Sequence, residues 1–294
     1  MPDGVAAAPP LTVAETLRRA TAELRRAGIE GAGNDARRLL SVALGLSAAQ
    51  MLARPERSLR PEEVKGFDHL IARRSTRAPV SRILGEREFY GRTFGISPAT
   101  LDPRPDSETL IEATLELVAL EGWRSRALRI LDVGTGSGSL LLTLLAELPG
   151  AFGVGTDVSV AALETARGNA VRLGLAGSAG WLAGDLVEAV RGPFDILISN
   201  PPYIPTSEIA QVEPEVREHD PILALDGGPD GLSFFRRLGA RVGEIVPDGW
   251  IVLEIGYNQA DAVATLLAAQ GLRKISVQPD VAGRRRCVAA RTRN

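Results

Sequence analysis

The sequence predicts an α/β protein: a mostly parallel, Rossmann-like sheet with an antiparallel hairpin at its edge, preceded by a small helical domain. Three observations predict this class. Apolar strand-like runs alternate with helical stretches from residue 127 onward, and two further strand-like runs follow each other at the end of the chain. The first segment instead has apolar residues at helical spacing, and 294 residues are the length of about two average domains.

The front segment is predicted to be a small helical bundle. Thr12 begins a capping box with Glu15, and Gly28 supplies a left-handed stop to the first helix. A second helix is expected to start near Asn34 or Asp35, and a third to follow Pro61. Nothing in this bundle has the pattern of a catalytic site.

The remaining elements follow in order. Residues 83–96 predict a strand pair with a tight turn at Gly91, and Ser107 or Asp106 is expected to cap the next helix. Sheet strands are predicted at residues 128–133, 153–156, 196–198 and 250–255, with helices at 139–148 and 160–173. The runs 274–277 and 286–291 are predicted to pair antiparallel at the edge.

The charge composition argues against a polybasic protein. The chain has 34 basic and 36 acidic side chains, but residues 1–82 hold 14 basic and 9 acidic ones while the rest is acidic. This asymmetry is either scatter over helical surfaces or the mark of an acidic or phosphate-bearing partner. Charge alone offers Arg37, Arg38, Arg73 and Arg74 as contacts for such a partner.

Composition also limits metal, disulfide and membrane chemistry. Cys287 is the only cysteine, and the two histidines are 150 positions apart, so we expect no disulfide and no metal. The sequence has no apolar run long enough to span a membrane and no signal-peptide pattern. We therefore expect a cytoplasmic protein that binds no membrane.

A glycine-rich turn follows the first predicted sheet strand. It consists of Gly134, Thr135, Gly136, Ser137 and Gly138. Such a turn allows a ligand to approach the backbone, although it is also found as a plain strand–helix connection. The spacing G-x-G-x-G differs from the dinucleotide fingerprint, and Asp132 before it places negative charge nearby, which favours a cationic ligand over a phosphate.

Two carboxylates follow the next two strands: Asp157 closes the second strand, VGTD, and Asp185 follows a third strand in WLAGD, residues 181–185. Asp157 is expected to accept hydrogen bonds from ribose hydroxyls, and Asp185 from an adenine amino group, with Leu186 packed on the ring. Each carboxylate alone is more often a helix N-cap. Together with the turn they predict a nucleoside crevice, and S-adenosyl-L-methionine combines ribose, adenine and positive charge without phosphate.

The fourth sheet strand ends in Asn200, Pro201, Pro202 and Tyr203. The prolines stiffen the loop and leave carbonyl acceptors free, the asparagine amide adds an acceptor and donors, and the tyrosine offers a flat face. These four residues predict a clamp that holds a planar –NH₂ group towards a methyl donor. Its position at a strand end places it beside the nucleoside crevice.

These motifs resemble those of the class I methyltransferases that modify planar amino groups. The segments GEREFYGRTF, PRPDSETLIE, ALDGGPDGL, LEIGYNQ and AGRRRCVAAR, and NDARRLL in the front segment, are similar to the release factor glutamine methyltransferases. The resemblance implies methylation of the glutamine side-chain amide in the Gly-Gly-Gln loop of class 1 peptide-chain release factors. It implies S-adenosyl-L-methionine on residues 134–138 and 157, glutamine on residues 200–203, and Asn200 in contact with both.

The resemblance also implies a division of the chain. We expect a disordered leader at 1–10, a helical substrate-docking domain at 11–80, a β-hairpin linker at 81–104 and the methyltransferase domain at 105–294, in a monomer. Asp102, Leu186 and the run from His219 to Pro221 depart from the family pattern. Alternatives are a ribosomal-protein glutamine methyltransferase, an adenine DNA methyltransferase and a non-catalytic regulator. The acidic charge around the sites argues against DNA.

Overall fold

The protein is described from a computed structural model that covers residues 11–188 and 190–292. The chain divides into two compact units, Met1–Leu84 and Gly85–Asn294, and each is described by itself. The leader expected at residues 1–10 lies outside the described residues. Within the described ranges, no helix is both long and apolar enough to cross a membrane.

The first unit is a bundle of helices around an apolar core. Its helices are α1 (Val13–Arg26), α2 (Ala32–Leu44), α3 (Ala48–Ala53), α4 (Pro61–Ser75) and α5 (Val80–Leu84). The predicted capping box is confirmed, because Thr12 and Glu15 bond to each other's backbone N–H groups. Leu24, Leu39 and Phe67 are fully buried in its core.

Two boundary predictions for this unit are wrong. Helix α2 begins at Ala32, before the predicted Asn34 or Asp35, and its N-cap Gly31 makes no side-chain hydrogen bond that the sequence pattern could reveal. Residues 83 and 84, predicted as strand, end helix α5. The short helices α3 and α5 are additional to the predicted bundle.

Of the four arginines offered by charge, Arg74 does not suit a surface contact. Its side chain is 10% exposed, and its Nε lies 2.8 Å from Asp35 Oδ2 within the bundle. Arg37 and Arg38 on α2 are exposed. Arg73 on α4 is exposed as well, so three of the four arginines remain candidates, and of these Arg37 and Arg38 are adjacent on one helix.

The second unit begins with a hairpin and a helix. Strands β1 (Glu86–Phe89) and β2 (Arg92–Gly95) pair antiparallel, as predicted, and α6 (Glu108–Leu120) follows a short 3₁₀ turn at Pro105–Ser107. Ser107 occupies the N-cap position of α6, as predicted, but it has helical backbone angles and its side chain makes no capping hydrogen bond. Its hydroxyl oxygen instead accepts a hydrogen bond from Asn200, which is 93 positions away.

The main sheet alternates with helices as the sequence predicts. In chain order the elements are β3 (Arg129–Val133), α7 (Ser139–Glu147), β4 (Phe152–Asp157), α8 (Val160–Arg172), β5 (Ala179–Ala183), β6 (Ile196–Ser199), α9 (Pro214–Arg217), α10 (Ser233–Ile245), β7 (Trp250–Glu254), α11 (Ala260–Ala269), β8 (Arg273–Pro279) and β9 (Arg285–Arg291). Among the described residues the sheet has seven strands in the order β5-β4-β3-β6-β7-β9-β8.

The sheet is parallel except at one edge. Strands β3 to β7 pair in parallel, while β9 runs antiparallel to both β7 and β8. The predicted antiparallel edge hairpin is therefore confirmed. Ile130 and Leu131 of β3 belong to two different apolar clusters, because successive side chains of a strand point to opposite faces.

This strand order determines where a ligand site can form. The chain proceeds outward from β3 through β4 to β5, then returns to the other side of β3 for β6. A reversal of this kind opens a crevice at the carboxyl ends of the central strands. The loops after β3, β4, β5 and β6 meet at that crevice.

Candidate active site

A cavity of about 440 Å³ lies at the carboxyl ends of strands β3 to β6. The predicted site residues that line it are Gly134, Thr135, Gly136, Ser137, Asp157, Asp185, Leu186, Asn200 and Pro202. Three predicted site residues are not among its lining residues: Gly138, Pro201 and Tyr203. The structure thus brings the two predicted sites to one cavity.

The glycine turn leaves open space where a ligand can approach. Gly136 has a φ of 55°, a left-handed conformation, and a Cβ built on it meets no atom within 4 Å. Gly138 differs, because a Cβ there lies 3.1 Å from Ala166 Cβ and from the Trp181 ring. Gly136 therefore shapes the cavity wall, while Gly138 allows α7 to pack closely.

Asp132, predicted to place negative charge near the ligand, is not among the residues that line the cavity. It is fully buried beneath the turn, where its Oδ2 accepts a 2.6 Å hydrogen bond from Thr135 Oγ1. Burial raises the pKa of this carboxyl to about 7, despite the hydrogen bond from Thr135. Its role in the structure is to hold the turn from below.

Asp157 provides a carboxylate in the cavity wall. Its Oδ2 accepts a 2.9 Å hydrogen bond from the Gly136 N–H, and its Oδ1 accepts one of 2.9 Å from the Ser159 N–H. These bonds fix the carboxylate at the end of β4 and join it to the glycine turn. Each carboxylate oxygen retains a lone pair for a hydroxyl donor.

The loop after β5 adds an ion pair at the cavity. Asp185 Oδ2 lies 2.6 Å from Arg237 Nη2, and both side chains are about half exposed. Leu186 has a left-handed φ of 51°, which is uncommon for leucine, and its carbonyl accepts a 3.1 Å hydrogen bond from Thr156 Oγ1. Phe234 also lines the cavity, so an apolar ring is available beside Leu186.

Asn200 lies at the end of β6 with its amide held on one side. Its Nδ2 donates a 3.1 Å hydrogen bond to Ser107 Oγ. The nitrogen keeps a second N–H, and the amide oxygen Oδ1 is the acceptor that this side chain offers to a substrate. Pro202 continues the cavity wall two residues later.

The loop after Asn200 is held by contacts that are distant in sequence. Gln259 Nε2 donates to the Tyr203 carbonyl at 2.9 Å and to the Gly231 carbonyl at 3.3 Å. Gly231 has a φ of 74°, and a Cβ there would lie 2.4 Å from the Tyr203 carbonyl oxygen. Glycine is therefore required for the ALDGGPDGL segment to pack on this loop.

Tyr203, the predicted stacking residue, is not among the residues that line the cavity. It is half-buried, and its hydroxyl donates to Glu254 Oε1 at 3.4 Å. Burial raises the pKa of the tyrosine above its usual value and raises the pKa of Glu254 to about 7. In this structure the tyrosine supports the loop from behind.

Comparison with known proteins identifies the family. Residues 15–85 match the family model described as PrmC N-terminal domain, and residues 111–216 match the methyltransferase small domain. A release factor glutamine methyltransferase of Bradyrhizobium diazoefficiens is 50% identical over 281 residues, which are 94% of each chain. The chain belongs to the release factor glutamine methyltransferase family.

Further relatives and structural neighbours agree with this assignment. The release factor glutamine methyltransferase of Rhodospirillum rubrum is 47% identical and covers 96% of this chain and 86% of its own length. The N-terminal domain of human METTL16 in complex with SAH has a TM-score of 0.51 at 18% identity, over 82% of this chain and 86% of that one. Identity this low shows the shared fold alone.

A second solved structure has the same fold. The human METTL16 catalytic domain in complex with MAT2A 3′UTR hairpin 1 has a TM-score of 0.56 at 18% identity, over 76% of this chain and 81% of that one. Together with the sheet order, these likenesses confirm the predicted class I methyltransferase fold.

Two residues that depart from the release factor glutamine methyltransferase pattern form ion pairs with arginines. Asp102 is buried between the cavity-lining residues Leu101 and Pro103, and its Oδ2 lies 3.7 Å from Arg87 Nη1. Asp220 is also buried, and its Oδ2 lies 2.5 Å from Arg104 Nη2. Each carboxylate is therefore paired with an arginine and does not project into the cavity.

Several residues around this family's site had no predicted role in it. The sequence pattern predicts only a helix cap for Ser107 and no role for Arg237. Glu254 and Gln259 lie in LEIGYNQ, which carried the family resemblance but no function for either residue. Within the described ranges, no group of three or more His, Cys, Asp or Glu side chains is placed to hold a metal ion.

Proposed function

We propose that this chain transfers a methyl group from S-adenosyl-L-methionine to the glutamine side-chain amide in the Gly-Gly-Gln loop of class 1 peptide-chain release factors. Family membership and nearly full-length similarity to relatives of that name support the substrate. The observation that carries the chemistry is the position of the Asn200 amide in the same cavity as the glycine turn and Asp157.

The residues of the donor side fit S-adenosyl-L-methionine. The open space above Gly136 accommodates a ligand against the backbone, and the Asp157 carboxylate offers acceptors to two ribose hydroxyls. Leu186 and Phe234 provide apolar surface for the adenine ring, with Asp185 as the acceptor for its amino group. When bound, the donor supplies an electrophilic methyl group on a sulfonium.

The residues that bind the glutamine must compensate for the weak nucleophilicity of an amide nitrogen, because its lone pair is delocalised into the carbonyl. Asn200 Oδ1 and a carbonyl of the proline pair are proposed to accept the two amide hydrogens, which increases electron density on nitrogen and fixes its direction. Orientation of this kind supplies about 7–11 kcal/mol in favourable systems. Residues 200–203 are therefore proposed as the catalytic loop, in which Asn200 and the proline pair contact the amide and Tyr203 supports the loop from behind.

The reaction balances without a further reactant. The glutamine nitrogen lone pair forms the new N–C bond, the S–C bond breaks, and its electron pair remains on sulfur as a neutral thioether. The nitrogen then loses one proton to solvent and is again a neutral amide. We expect the reaction to take place in the cytoplasm without a metal, with the helical unit docking the release factor.

The function is tested with a labelled methyl donor. We expect label on a class 1 release factor and none on its variant with alanine in place of the loop glutamine. Ribosomal proteins and duplex DNA serve as the competing acceptors. Equal label on the alanine variant, or label only on ribosomal protein or DNA, would contradict the proposal.

A further inference from the structure

Asn169 is a buried asparagine on helix α8 that joins the strand hairpin to the glycine turn. It is 2% exposed, and its Oδ1 accepts a hydrogen bond from the Gly95 N–H at 2.7 Å. Its Nδ2 donates to the Gly95 carbonyl at 2.9 Å and to the Ser137 carbonyl at 2.8 Å. Gly95 ends strand β2, and Ser137 belongs to the turn that lines the cavity. One side chain therefore bonds two backbone segments that are distant in the sequence.

These three bonds determine the orientation of the Asn169 amide. Both hydrogens of Nδ2 have a carbonyl partner, and Oδ1 has an N–H partner. The opposite orientation would place Oδ1 against carbonyl oxygens and Nδ2 against an N–H group. Because a buried polar group without a partner is costly, the amide holds the end of the hairpin and the glycine turn at a fixed separation.

A second contact holds the same turn against helix α8. A Cβ built on Gly138 lies 3.1 Å from Ala166 Cβ, so the turn approaches the helix closely at this point. Residues three apart on a helix lie on one face, and Ala166 and Asn169 therefore support the turn side by side. Of the two, only Asn169 bonds the backbone of both the turn and the hairpin.

The two segments that Asn169 joins both lead to the cavity. Ser137 lines it directly, and Ala99 and Leu101, which follow Gly95 in the chain, line it as well. Asn169 itself is not among the lining residues. Its effect on a bound ligand is therefore indirect and passes through the backbone that it holds.

We propose that Asn169 is a positioning residue that holds the glycine turn in the conformation that binds the methyl donor and couples this turn to the hairpin. The inference rests on the proposed function for the identity of the donor. The turn that Asn169 restrains includes the Gly136 N–H, which donates to Asp157 Oδ2 at 2.9 Å. Release of the turn should therefore weaken donor binding, whereas residues 200–203 have no bond to Asn169 among its three partners.

The first test is Asn169→Ala, which removes the three bonds. We expect the Kd for S-adenosyl-L-methionine, measured by calorimetry, to rise about tenfold, the effect of roughly one lost hydrogen bond. The number of binding sites per chain should remain that of the unaltered chain, because it counts folded molecules. A residue with a structural role alone would lower the unfolding midpoint and leave the Kd of the folded molecules unchanged.

Turnover should show the same division. In Asn169→Ala the KM for the donor should rise together with the Kd, while the KM for the release factor changes by less than about two-fold. Thr114→Val is the matched control, because it removes a buried hydroxyl of the same unit that bonds within its own helix, to the Leu110 carbonyl. Its Kd for the donor should equal that of the unaltered chain.

The second test acts from the hairpin and leaves Asn169 in place. A Cβ on Gly95 lies 3.2 Å from Asn169 Oδ1, so Gly95→Ala should displace the amide slightly. We expect the Kd for the donor to rise about three-fold, a part of the full loss. Gly168→Ala is the control, because a Cβ at this position of α8 meets no atom within 4 Å. In the double variant, Gly95→Ala should add nothing to Asn169→Ala, since it acts through the amide that has been removed.

The outcomes separate this inference from the proposed function. If the unaltered chain binds no S-adenosyl-L-methionine, the proposed function fails first. If it binds the donor, a Kd for Asn169→Ala within about two-fold of the Thr114→Val value overturns the positioning role. Independent, additive effects in the double variant overturn the coupling to the hairpin. If Asn169→Ala does not fold, equal Kd values for Gly95→Ala and Gly168→Ala overturn the proposal.

Discussion

The amide of Asn200 has two ends that the structure treats differently. Its nitrogen donates one hydrogen bond to Ser107, and its oxygen is the acceptor that we propose for the glutamine amide, in the cavity that Asp157 also lines. We propose that the two residues divide the work, with the Asp157 carboxylate on the methyl donor and the Asn200 amide on the glutamine. This division predicts that catalysis and donor binding can be separated by mutation.

Asn200→Ala tests that separation. Removing the amide takes away an acceptor for the substrate nitrogen, so we expect kcat to fall by at least about 100-fold. Donor affinity should weaken much less, because the Asp157 and Gly136 contacts are unchanged. Turnover and calorimetric titration with the donor measure the two effects.

The control for this variant is Asn258→Ala, which removes an exposed asparagine after β7. It should leave both quantities unchanged. Complete loss of donor binding in Asn200→Ala would mean that this residue belongs to the methyl donor and not to the glutamine.

At the scale of elements, the sequence predicts helix starts and stops well where contacts between neighbouring residues determine them. The Thr12 capping box, the Pro61 start and the left-handed glycines follow from residues a few positions apart. Ser107 illustrates the limit: it has the sequence of a helix cap, but its hydroxyl bonds Asn200, 93 positions away. A competing tertiary partner is not visible in local sequence.

Near its start, helix α4 has an ion pair and a hydrogen bond, both made by Glu63, whose contribution to stability depends on pH. Glu63 is nearly buried, its Oε1 lies 2.8 Å from Arg57 Nη2, and its Oε2 accepts from the Arg60 N–H at 2.9 Å. The hydrogen bond from Arg57 is the largest cause that lowers the pKa of Glu63 to about 2. Since the pKa is lowered on folding, the stabilisation exists above about pH 4.5 and is lost as pH falls towards 2.

Glu63→Gln should therefore destabilise the helical unit by about 1.5–3 kcal/mol at neutral pH, the value of hydrogen bonds to a charged group. The difference from the unaltered chain should disappear as pH approaches about 2. Urea unfolding at several pH values, followed by helical circular dichroism, measures this. Glu62→Gln, whose exposed side chain lies 3.2 Å from Arg60, should cost less than about 1 kcal/mol. A pH-independent loss in Glu63→Gln would refute the explanation.

Across the whole molecule, the near-neutral charge divides between a basic helical unit and an acidic remainder. Arg37 and Arg38 are exposed on α2, whereas Arg74 is paired with Asp35. We propose that the exposed pair contributes to docking of the release factor. Because such contacts act before chemistry, they should affect KM and not kcat.

Reversal of the exposed pair tests this docking. Arg37→Glu with Arg38→Glu should raise the KM for the release factor roughly tenfold at low salt, and less at high salt, at unchanged kcat. The matched control is Arg273→Glu with Lys274→Glu, an exposed basic pair on β8. Similar KM values in the two double variants would exclude α2 as a docking surface.

The fold and the position of the cavity could be predicted from the sequence because both follow from how parallel strands connect. Parallel strands must alternate with helices, and their carboxyl ends must meet, so Gly136, Asp157 and Asn200 could be placed together from spacing alone. Side-chain direction was less predictable. Asp132 points beneath the turn and Tyr203 towards Glu254, because burial and distant partners decide those orientations.

The most direct test of the account is the mass of the release factor peptide that contains Gly-Gly-Gln, after incubation with the chain and S-adenosyl-L-methionine. We predict a mass increase of a single methylation on the glutamine side chain, and no increase with Asn200→Ala. An unmodified glutamine peptide in the presence of an active, donor-binding chain would contradict the central claim. Methylation of that peptide by Asn200→Ala at an undiminished rate would contradict the role given to the asparagine.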